Sequence, residues 1–407
     1  MNGFTTKALH APRPKADPFG ALRMAVYDNA AFEFESAEAI EATFTGQKPG
    51  HTYTRASNPT VEELENKVKL LSGAHGVIAT ASGMAAITTA IFALVRSGEN
   101  IVTTDRLFGH TLSFFKKTAK NLGIETRFVD VLDPAAVAKA CDAKTRVIFF
   151  ETISNPQLQV ADAAALSAVA REKNAVLMAD TTMTPIYLFD AKKHGVDVEV
   201  ISATKYISGG GTTIGGLILD HGLFDWGKLD ALRPHFEKAG QNALIAKLKK
   251  EVYRNLGPAL SPHNAYLQSL GLETMALRIE RSCQNALELA KWLGEQPQVK
   301  TVNYPGLESS PFCAAAKKQF RHAGAILTFD LASKEAIYRF MNALKLVRRA
   351  TNINDNKSLI IAPYHTIYAE NSPEERLAFD VRPTMLRLSV GIEDIEDLKA
   401  DISQALA

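Results

Sequence analysis

The sequence has little cysteine, no excess of charge of one sign and no long hydrophobic run, and each absence excludes a class of protein. Its three cysteines, Cys141, Cys283 and Cys313, are far apart and odd in number, which indicates reduced thiols and neither a disulfide framework nor a metal-binding spacing. The net charge is +2 with acids and bases interspersed, which gives no electrostatic basis for binding nucleic acid or an anionic membrane. No apolar run approaches the ~18 residues of a membrane-spanning helix, and the first residues lack the apolar core of a signal peptide. These features predict a soluble, cytoplasmic protein.

What the chain does contain is an ordinary globular composition, with 46% hydrophobic and 22% charged residues among 407. This length is too great for one small core and predicts two domains, or one large domain with a smaller appendage. Residues 1–58 show little hydrophobic periodicity, so they are predicted to lie across another surface, that of a partner subunit. Residues 59–255 are predicted to form an α/β domain, and residues 256–407 a smaller α+β domain.

Short apolar runs alternate with helical patterns in residues 59–255. A helix with a glycine stop is predicted in "PTVEELENKVKLLSG", and a strand, a glycine turn and a helix in "GVIATASGMAAITTAIFALVRSG". Strands that are apolar on both faces and alternate with helices indicate a mainly parallel sheet covered on both sides. The later part of the chain predicts a long helix broken near Gly271, strands in "AGAILTFDL" and "MLRLSVG", and a closing acidic helix. The further strands predicted for the larger sheet are "NIVTTD", "ETRFVD", "RVIFFET", "AVLMADTT", "VEVISAT" and "GGLILD".

One of these strands leads directly into a lysine, Lys205, in "VEVISATKYISGGGTTIGG". Lysine is rarely fully buried unless it is paired, and no acidic residue stands beside this one. Either Lys205 reaches water just beyond the end of the strand, or its amine is bonded to another group.

Polar residues follow several of the predicted strands, at the sheet edge where ligands of parallel sheets gather. In "TASGMAA" a Ser-Gly turn precedes a helix whose free N–H groups could cradle a phosphate, although glycine also opens helices for steric reasons. A phosphate nest, a buried carboxylate such as Asp180 and a lysine amine are what pyridoxal phosphate requires. The lysine forms a Schiff base, and the carboxylate keeps the pyridine nitrogen protonated. The polar strand-end residues are Asp105, Glu151, Asn155, Asp180, Thr182, Ser202, Thr204 and Lys205.

Seven segments, in order and over almost the whole chain, resemble the pyridoxal-phosphate enzymes of cysteine and methionine metabolism, the trans-sulfuration family. The resemblance implies the fold of PLP-dependent transferases of fold type I, with a mainly parallel sheet in the large domain and a smaller α+β C-terminal domain. It also implies pyridoxal 5'-phosphate as cofactor, a small amino acid as substrate, no metal, and a homotetramer of paired dimers whose active sites are shared between subunits. The seven segments are "YTRASNPT", "ATASGMAAI", "ETISNPQL", "ADTTMTP", "SATKYISGG", "VNYPGL" and "LRLSVGIED".

The resemblance also implies a role for each matching residue. Lys205 corresponds to the Schiff-base lysine and Asp180 to the partner of the pyridinium nitrogen, and these two are the predicted catalytic residues. Arg387 corresponds to the residue that grips the substrate α-carboxylate, and Asn352 is predicted to lie beside it in the substrate site. The remaining predicted cofactor contacts are Thr182 and Phe108 at the ring, Asn155 near the phenolic oxygen, Ser82, Gly83, Met84, Ser202 and Thr204 at the phosphate, and Tyr53 with Arg55 at the phosphate in the neighbouring subunit.

Simpler structural roles stay open at several of these positions. Asp180 could cap a helix, Arg387 could be a structural salt-bridge partner, and Ser202 could satisfy only backbone groups. Tyr53 and Arg55 could belong to a surface loop of their own subunit.

The chain departs from the family pattern at "LFGHT", where the family usually carries a tyrosine in "LYGG". Phe108 can stack on the cofactor but cannot exchange a proton. A phenylalanine at this position resembles the O-succinylhomoserine sulfhydrylase branch. His110 stands where methionine γ-lyases tend to carry cysteine, and "DNKSLII" resembles homoserine-ester sulfhydrylases. We therefore expect conversion of O-acetylhomoserine, or O-succinylhomoserine, and sulfide to homocysteine. The alternatives are a methionine γ-lyase, a cystathionine γ- or β-lyase, or a PLP-binding protein without activity.

Overall fold

The apolar runs of residues 59–255 form the strands of one large sheet in the computed structural model, which describes residues 3–12, 17 and 19–407. Across these described residues the sheet has seven strands in the order β1-β7-β6-β5-β4-β2-β3. β7 runs antiparallel to both of its neighbours, β1 and β6, and the other pairs are parallel, so the predicted mainly parallel sheet is confirmed. The strands are β1 (Gly76–Thr80), β2 (Asn100–Thr103), β3 (Glu125–Phe128), β4 (Thr145–Glu151), β5 (Val176–Asp180), β6 (Val198–Ile201) and β7 (Gly216–Asp220).

Helices cover both faces of this sheet, and their ends follow from local sequence. The helix after residue 58 begins where the Asn58 side chain accepts the Thr60 N–H, and it ends at Gly73, whose φ of +67° suits glycine. Burial on both faces explains why strands such as β1, β2, β6 and β7 carry buried residues only. The helices of this part are α1 (Phe4–Leu9), α2 (Ala37–Phe44), α3 (Pro59–Ser72), α4 (Gly83–Leu94), α5 (Gly109–Ser113), α6 (Pro134–Ala140), α7 (Ala163–Lys173), α8 (Arg233–Ala239), α9 (Ala243–Lys247) and α10 (Tyr253–Leu256).

The C-terminal part contains a second sheet, with five strands in the order β10-β11-β12-β9-β8 within the described residues. β9, β11 and β12 pair antiparallel, so the predicted smaller α+β unit is present. The predicted long helix is broken at Thr274, between α11 and α12. The elements are α11 (Pro262–Glu273), α12 (Met275–Gly294), β8 (Thr301–Asn303), α13 (Cys313–Gln319), β9 (Ile326–Asp330), α14 (Lys334–Ala343), β10 (Arg348–Arg349), β11 (Leu359–Ile361), α15 (Pro373–Ala378), β12 (Met385–Ser389) and α16 (Ile395–Leu406).

One apolar cluster joins the two parts, because Leu64 of α3, Ala286 of α12 and Leu388 of β12 belong to the same buried core. The predicted divisions at residues 58 and 255 stay predictions. Near the N-terminus, α2 has no buried residue, and its Phe44 is 71% exposed. Over the described ranges, no helix combines the length and apolar character needed to cross a membrane.

Candidate active site

A cavity of about 530 Å³ lies at the carboxyl ends of β4, β5 and β6, where residues of the smaller sheet close it. Of the residues predicted to form the site, all except Tyr53 and Arg55 line this cavity. Apolar side chains make up much of its wall, so bound groups are largely withdrawn from water. Its lining comprises Ser82, Gly83, Met84, Ile87, Phe108, Gly109, His110, Thr111, Glu151, Ile153, Asn155, Asp180, Thr182, Met183, Ser202, Thr204, Lys205, Thr351, Asn352, Ile353, Ile367 and Arg387.

The N-terminus of α4 forms one end of the cavity. Ser82 is the N-cap, and its side chain accepts the Ala85 N–H at 3.0 Å. A Cβ on Gly83 would lie 2.7 Å from the Ser202 Cβ, and one on Gly216 would lie 2.1 Å from the Ser82 carbonyl oxygen. Only glycine at these two positions lets the loop approach the end of β6 and the start of β7 so closely. N–H groups of the first helical turn and the helix dipole make this end suitable for a phosphate.

Hydroxyl groups surround this helix end. The Thr182 hydroxyl accepts the Ser202 N–H at 2.8 Å, which ties the loop after β5 to the end of β6. The Thr204 hydroxyl donates to the Gly215 carbonyl at 3.3 Å and accepts the Gly215 N–H at 3.1 Å. It is therefore engaged with the backbone in this structure, and its predicted role at a phosphate stays a prediction.

Two carboxyl groups, the half-buried Asp180 and the buried Glu151, stand side by side at the ends of β5 and β4, in register. Asp180 Oδ1 accepts the Thr182 N–H at 2.9 Å, and Glu151 Oε1 accepts the Phe108 N–H at 2.7 Å. Burial raises the pKa of Asp180 against the lowering effect of the Thr182 bonds, and the Glu199 charge raises it further. Burial, and then the charge of Asp180, raises the pKa of Glu151 well above its usual range. Among the described residues no cation is ion-paired with either group, so a protonated ring nitrogen suits this end of the cavity.

Lys205 lies just beyond the end of β6 and lines the cavity. Its Nζ donates to Asn352 Oδ1 at 2.6 Å. Burial, and then the positive charge of Arg387, lower the pKa of Lys205 to about 8. An amine with a lowered pKa is the form that condenses with an aldehyde or accepts a proton.

Arg387 reaches the cavity from β12 of the smaller sheet and is only 2% exposed. Its guanidinium donates to Asn155 Oδ1 at 3.0 Å and to the Thr351 carbonyl at 2.9 Å. Burial lowers the pKa of Arg387 to about 10. In the described part of the chain no carboxylate forms a salt bridge with it, and its Nε is buried without a hydrogen-bond partner. A buried cation with spare donors is suited to bind an anionic group of a ligand. Among the described residues nothing supports the salt-bridge alternative for Arg387, and its role toward a substrate stays a prediction.

Phe108 and His110 lie on the wall formed by the start of α5. Their rings meet edge to face, with centroids 5.1 Å apart. The Phe108 backbone is fixed by Glu151, so the ring is held at the cavity by a buried carboxyl group. Phe108 lines the cavity, so the family's usual tyrosine hydroxyl is replaced by a phenyl ring at the cavity wall.

Tyr53 and Arg55 lie away from this cavity in their own chain. The Arg55 guanidinium donates to the Arg254 carbonyl at 2.7 Å and stands 5.5 Å from the centre of the Tyr53 ring. Tyr53 is 46% exposed. The two residues are therefore available to another surface, and their predicted role in a neighbouring subunit stays a prediction.

Some lining residues were given no role by the sequence. Glu151 is one of them, and its place at a predicted strand end was the only feature of the sequence that could have indicated a role in the site. Thr351 contributes only a backbone carbonyl, for which a sequence carries no signal. Together the helix end, the two carboxyl groups and the lysine fit pyridoxal phosphate: α4 would hold its phosphate, Asp180 its ring nitrogen and Lys205 its aldehyde carbon.

Comparisons with known proteins agree with this geometry. The model of a family described as Cys/Met metabolism PLP-dependent enzyme matches residues 5–407. The chain is 40% identical to O-acetyl-L-homoserine sulfhydrylase 1 of Thermus thermophilus, over 99% of this chain and 100% of the relative. It is 37% identical to L-methionine gamma-lyase of Pseudomonas putida, over 100% of this chain and 98% of that one.

A solved structure is more similar in sequence. The O-acetylhomoserine sulfhydrylase of the methionine biosynthetic pathway of Wolinella succinogenes is 64% identical, with a TM-score of 0.80. The similarity covers 87% of this chain and 99% of that structure.

Proposed function

The chain belongs to the Cys/Met metabolism PLP-dependent enzyme family, and on that premise we propose that it converts O-acetylhomoserine and sulfide to homocysteine and acetate. O-succinylhomoserine is the second candidate ester. The observation that carries the proposal is that Lys205, Asp180 and Arg387 share one cavity. The names of the Thermus and Wolinella proteins support the choice of ester and of sulfur transfer.

Arg387 binds the substrate α-carboxylate. Its buried guanidinium is already oriented by Asn155 and Thr351, so little ordering is needed when a carboxylate arrives. The side chains of Asn155 and Asn352 then lie on either side of the amino acid, one bonded to Arg387 and the other to Lys205.

The reaction replaces oxygen by sulfur at Cγ. Hydrogensulfide and the ester give the thiol and a carboxylate, so the Cγ–O bond breaks, a Cγ–S bond forms and no net proton is consumed. When bound, pyridoxal phosphate supplies the electron sink for the charge left at Cα. Lys205 takes the Cα and Cβ protons and later returns them, because its lowered pKa of about 8 leaves part of it uncharged near neutral pH.

Phe108 favours replacement over elimination. Elimination to a 2-oxo acid needs a proton delivered to Cγ, whereas replacement needs a nucleophile there. A phenyl ring at this wall supplies no proton, and it keeps the neighbourhood apolar. The cavity therefore favours attack by sulfide over protonation of the carbon chain.

The assembly that we propose is a homotetramer of two dimers in a cytoplasmic enzyme. Within each dimer, Tyr53 and Arg55 reach the cofactor phosphate of the neighbouring subunit. Their exposure, their separation from the cavity of their own chain and the planar donor fork of arginine support this arrangement.

A product assay tests the proposed reaction. Purified holoenzyme is given O-acetylhomoserine, O-succinylhomoserine, cystathionine or methionine, each with and without sulfide, and homocysteine, 2-oxobutyrate and ammonia are measured. We expect homocysteine from an ester only when sulfide is present. Release of 2-oxobutyrate and ammonia from methionine without sulfide, as the fastest reaction, would instead identify a γ-lyase. Lys205→Ala, prepared in the same way, is the matched inactive control.

A further inference from the structure

A buried pair of titratable side chains, Glu199 and His221, lies behind Asp180 and takes no part in the reaction above. Glu199 of β6 and His221, just after β7, are each only 1% exposed. His221 Nε2 lies 2.9 Å from Glu199 Oε2, and the Thr181 hydroxyl donates to Glu199 Oε1 at 2.5 Å. β7 makes this contact possible, because its antiparallel position beside β6 brings its end back to the start of β6.

The pair stands on the opposite face of the sheet from the cavity. Glu199 is in register with Ala179, and Asp180 is in register with Val200. Because neighbouring residues of a strand point to opposite faces, Glu199 and Thr181 share one face and Asp180 the other. The two carboxylates therefore lie on neighbouring strands, one on each face of the sheet. At this separation the charge of Glu199 acts on Asp180.

Hydrogen-bond accounting gives the charge of the pair. His221 Nδ1 is buried without a hydrogen-bond partner in the described structure. A doubly protonated imidazole would leave an N–H donor buried and unpaired there, which is unfavourable. The neutral ring with its proton on Nε2 donates to Glu199 and leaves only a lone pair unmatched. Glu199 thus keeps its negative charge, stabilised by two donors.

Other charged groups near the pair are neutralised or bonded elsewhere. Asp197, which directly precedes β6, is held by Arg171 at 2.6 Å. Asp220 accepts the Gly222 N–H at 2.8 Å and the Trp226 indole N–H at 3.2 Å. On the cavity face, Glu151 is beside Asp180 on β4. Among the described buried carboxylates around Asp180, Glu199 is the one whose negative charge is bonded to a neutral imidazole and is therefore not cancelled by a cation.

We propose that Glu199 is a positioning residue that keeps a second buried negative charge behind Asp180 and thereby retains the proton on the ring nitrogen of the bound cofactor. The inference rests on the proposed function only in its use of Asp180 as the partner of that nitrogen. Thr181 and His221 hold the carboxylate in place. A retained ring proton maintains the electron-withdrawing form that the removal of the Cα proton requires.

The test reads the ring nitrogen directly. Apoenzyme is loaded with pyridoxal phosphate carrying ¹⁵N in the ring, and the ¹⁵N chemical shift is followed against pH without substrate. In the native enzyme we expect the shift of a protonated ring up to a deprotonation midpoint at alkaline pH, within the range in which the protein is folded, and that midpoint is the reference value. In Glu199→Gln, which keeps the shape and removes the charge, we expect the midpoint of ring deprotonation to fall by about one unit, about tenfold in the proton equilibrium. Glu199→Asp should restore the native shift.

Asp197→Asn is the matched control, because it removes a buried carboxylate two residues before Glu199, at a site that Arg171 neutralises. It should leave the ring shift unchanged. If Glu199→Gln fails to take up cofactor, the double variant Glu199→Leu with His221→Leu replaces the pair by apolar groups, which buried pairs often tolerate. A native ring shift in a folded variant lacking the Glu199 charge would overturn the proposal, as would an equal change in Asp197→Asn. Because no substrate is present, these outcomes are independent of whether the enzyme makes homocysteine.

Discussion

Replacing Arg387 by glutamine should damage substrate binding far more than it damages the fold. The guanidinium is 2% exposed, and it donates to Asn155 Oδ1 and the Thr351 carbonyl at 3.0 and 2.9 Å. Losing one partner of a buried charged contact costs about 2–5 kcal/mol. At 1.36 kcal/mol for each factor of ten, kcat/KM should fall roughly 30-fold to 5,000-fold. Steady-state kinetics with O-acetylhomoserine and sulfide measure this, and we expect most of the loss in KM.

A second buried arginine provides the control. Arg278 is 8% exposed, and its guanidinium donates to the Gly271 carbonyl at 2.7 Å, outside the cavity. Burial lowers its pKa to about 10, as it does for Arg387. Arg278→Gln should lower the thermal midpoint without a comparable rise in KM. A kcat/KM within tenfold of wild type for a folded Arg387→Gln enzyme, or equal KM changes in both variants, would refute carboxylate recognition by Arg387.

Four further outcomes follow from the site. Asp180→Ala should lower turnover by several orders of magnitude while the phosphate contacts still hold the cofactor; near-normal activity would make Asp180 only a cap. Mixing inactive Arg55→Ala and Lys205→Ala chains under subunit exchange should restore activity, since one site of each mixed dimer is intact; a mixture that stays inactive despite shown exchange contradicts shared sites. Phe108→Tyr should raise the share of 2-oxobutyrate formed from the ester, and an unchanged product ratio would remove the argument from the phenyl wall. In cofactor-free enzyme, Lys205→Met should be more stable than wild type at neutral pH. That advantage should shrink as pH rises from about 8, because burial penalises the charged lysine and the penalty disappears once the side chain is neutral in both states; chemical denaturation at several pH values measures it.

The strands of the larger sheet and the helix α3 were predictable because each leaves a local pattern, whereas α1, α2, β8, β10 and β11 were not predicted. The strands of the larger sheet are short apolar runs, and α3 carries both its asparagine cap and its glycine stop in sequence. The strand order was not predictable. β7 continues the apolar pattern of its neighbours, and nothing in "GGLILD" indicates that it runs antiparallel between β1 and β6.

Within the site, predictability divides in the same way. Lys205 and Asp180 follow strands whose patterns are visible, and the motifs around them carry the family resemblance. The bond between Arg387 and Asn155 joins residues far apart in sequence, one on β12 and the other in the turn after β4, so the partner of the guanidinium required the structure. The Glu199–His221 pair is hidden for the same reason, because it depends on which strand lies beside β6.

The distribution of charge in the cavity explains why one chain needs both sheets for one reaction. The larger sheet contributes two carboxyl groups, Asp180 and Glu151. Burial raises the pKa of both, the charge of Asp180 raises that of Glu151 further, and the charge of Glu199 raises that of Asp180. The larger sheet also contributes Lys205, and the smaller sheet contributes Arg387; burial lowers the pKa values of both cations. The acidic groups are together at one end of the cavity and the two cations at the other, instead of forming ion pairs. This arrangement is unfavourable in the isolated protein and becomes favourable when ligand groups of opposite charge bind. In the proposed function a protonated ring nitrogen would meet the carboxyl groups, and an α-carboxylate would meet the guanidinium. The separation between these two ends would then place the reacting carbons between Lys205 and the phenyl wall.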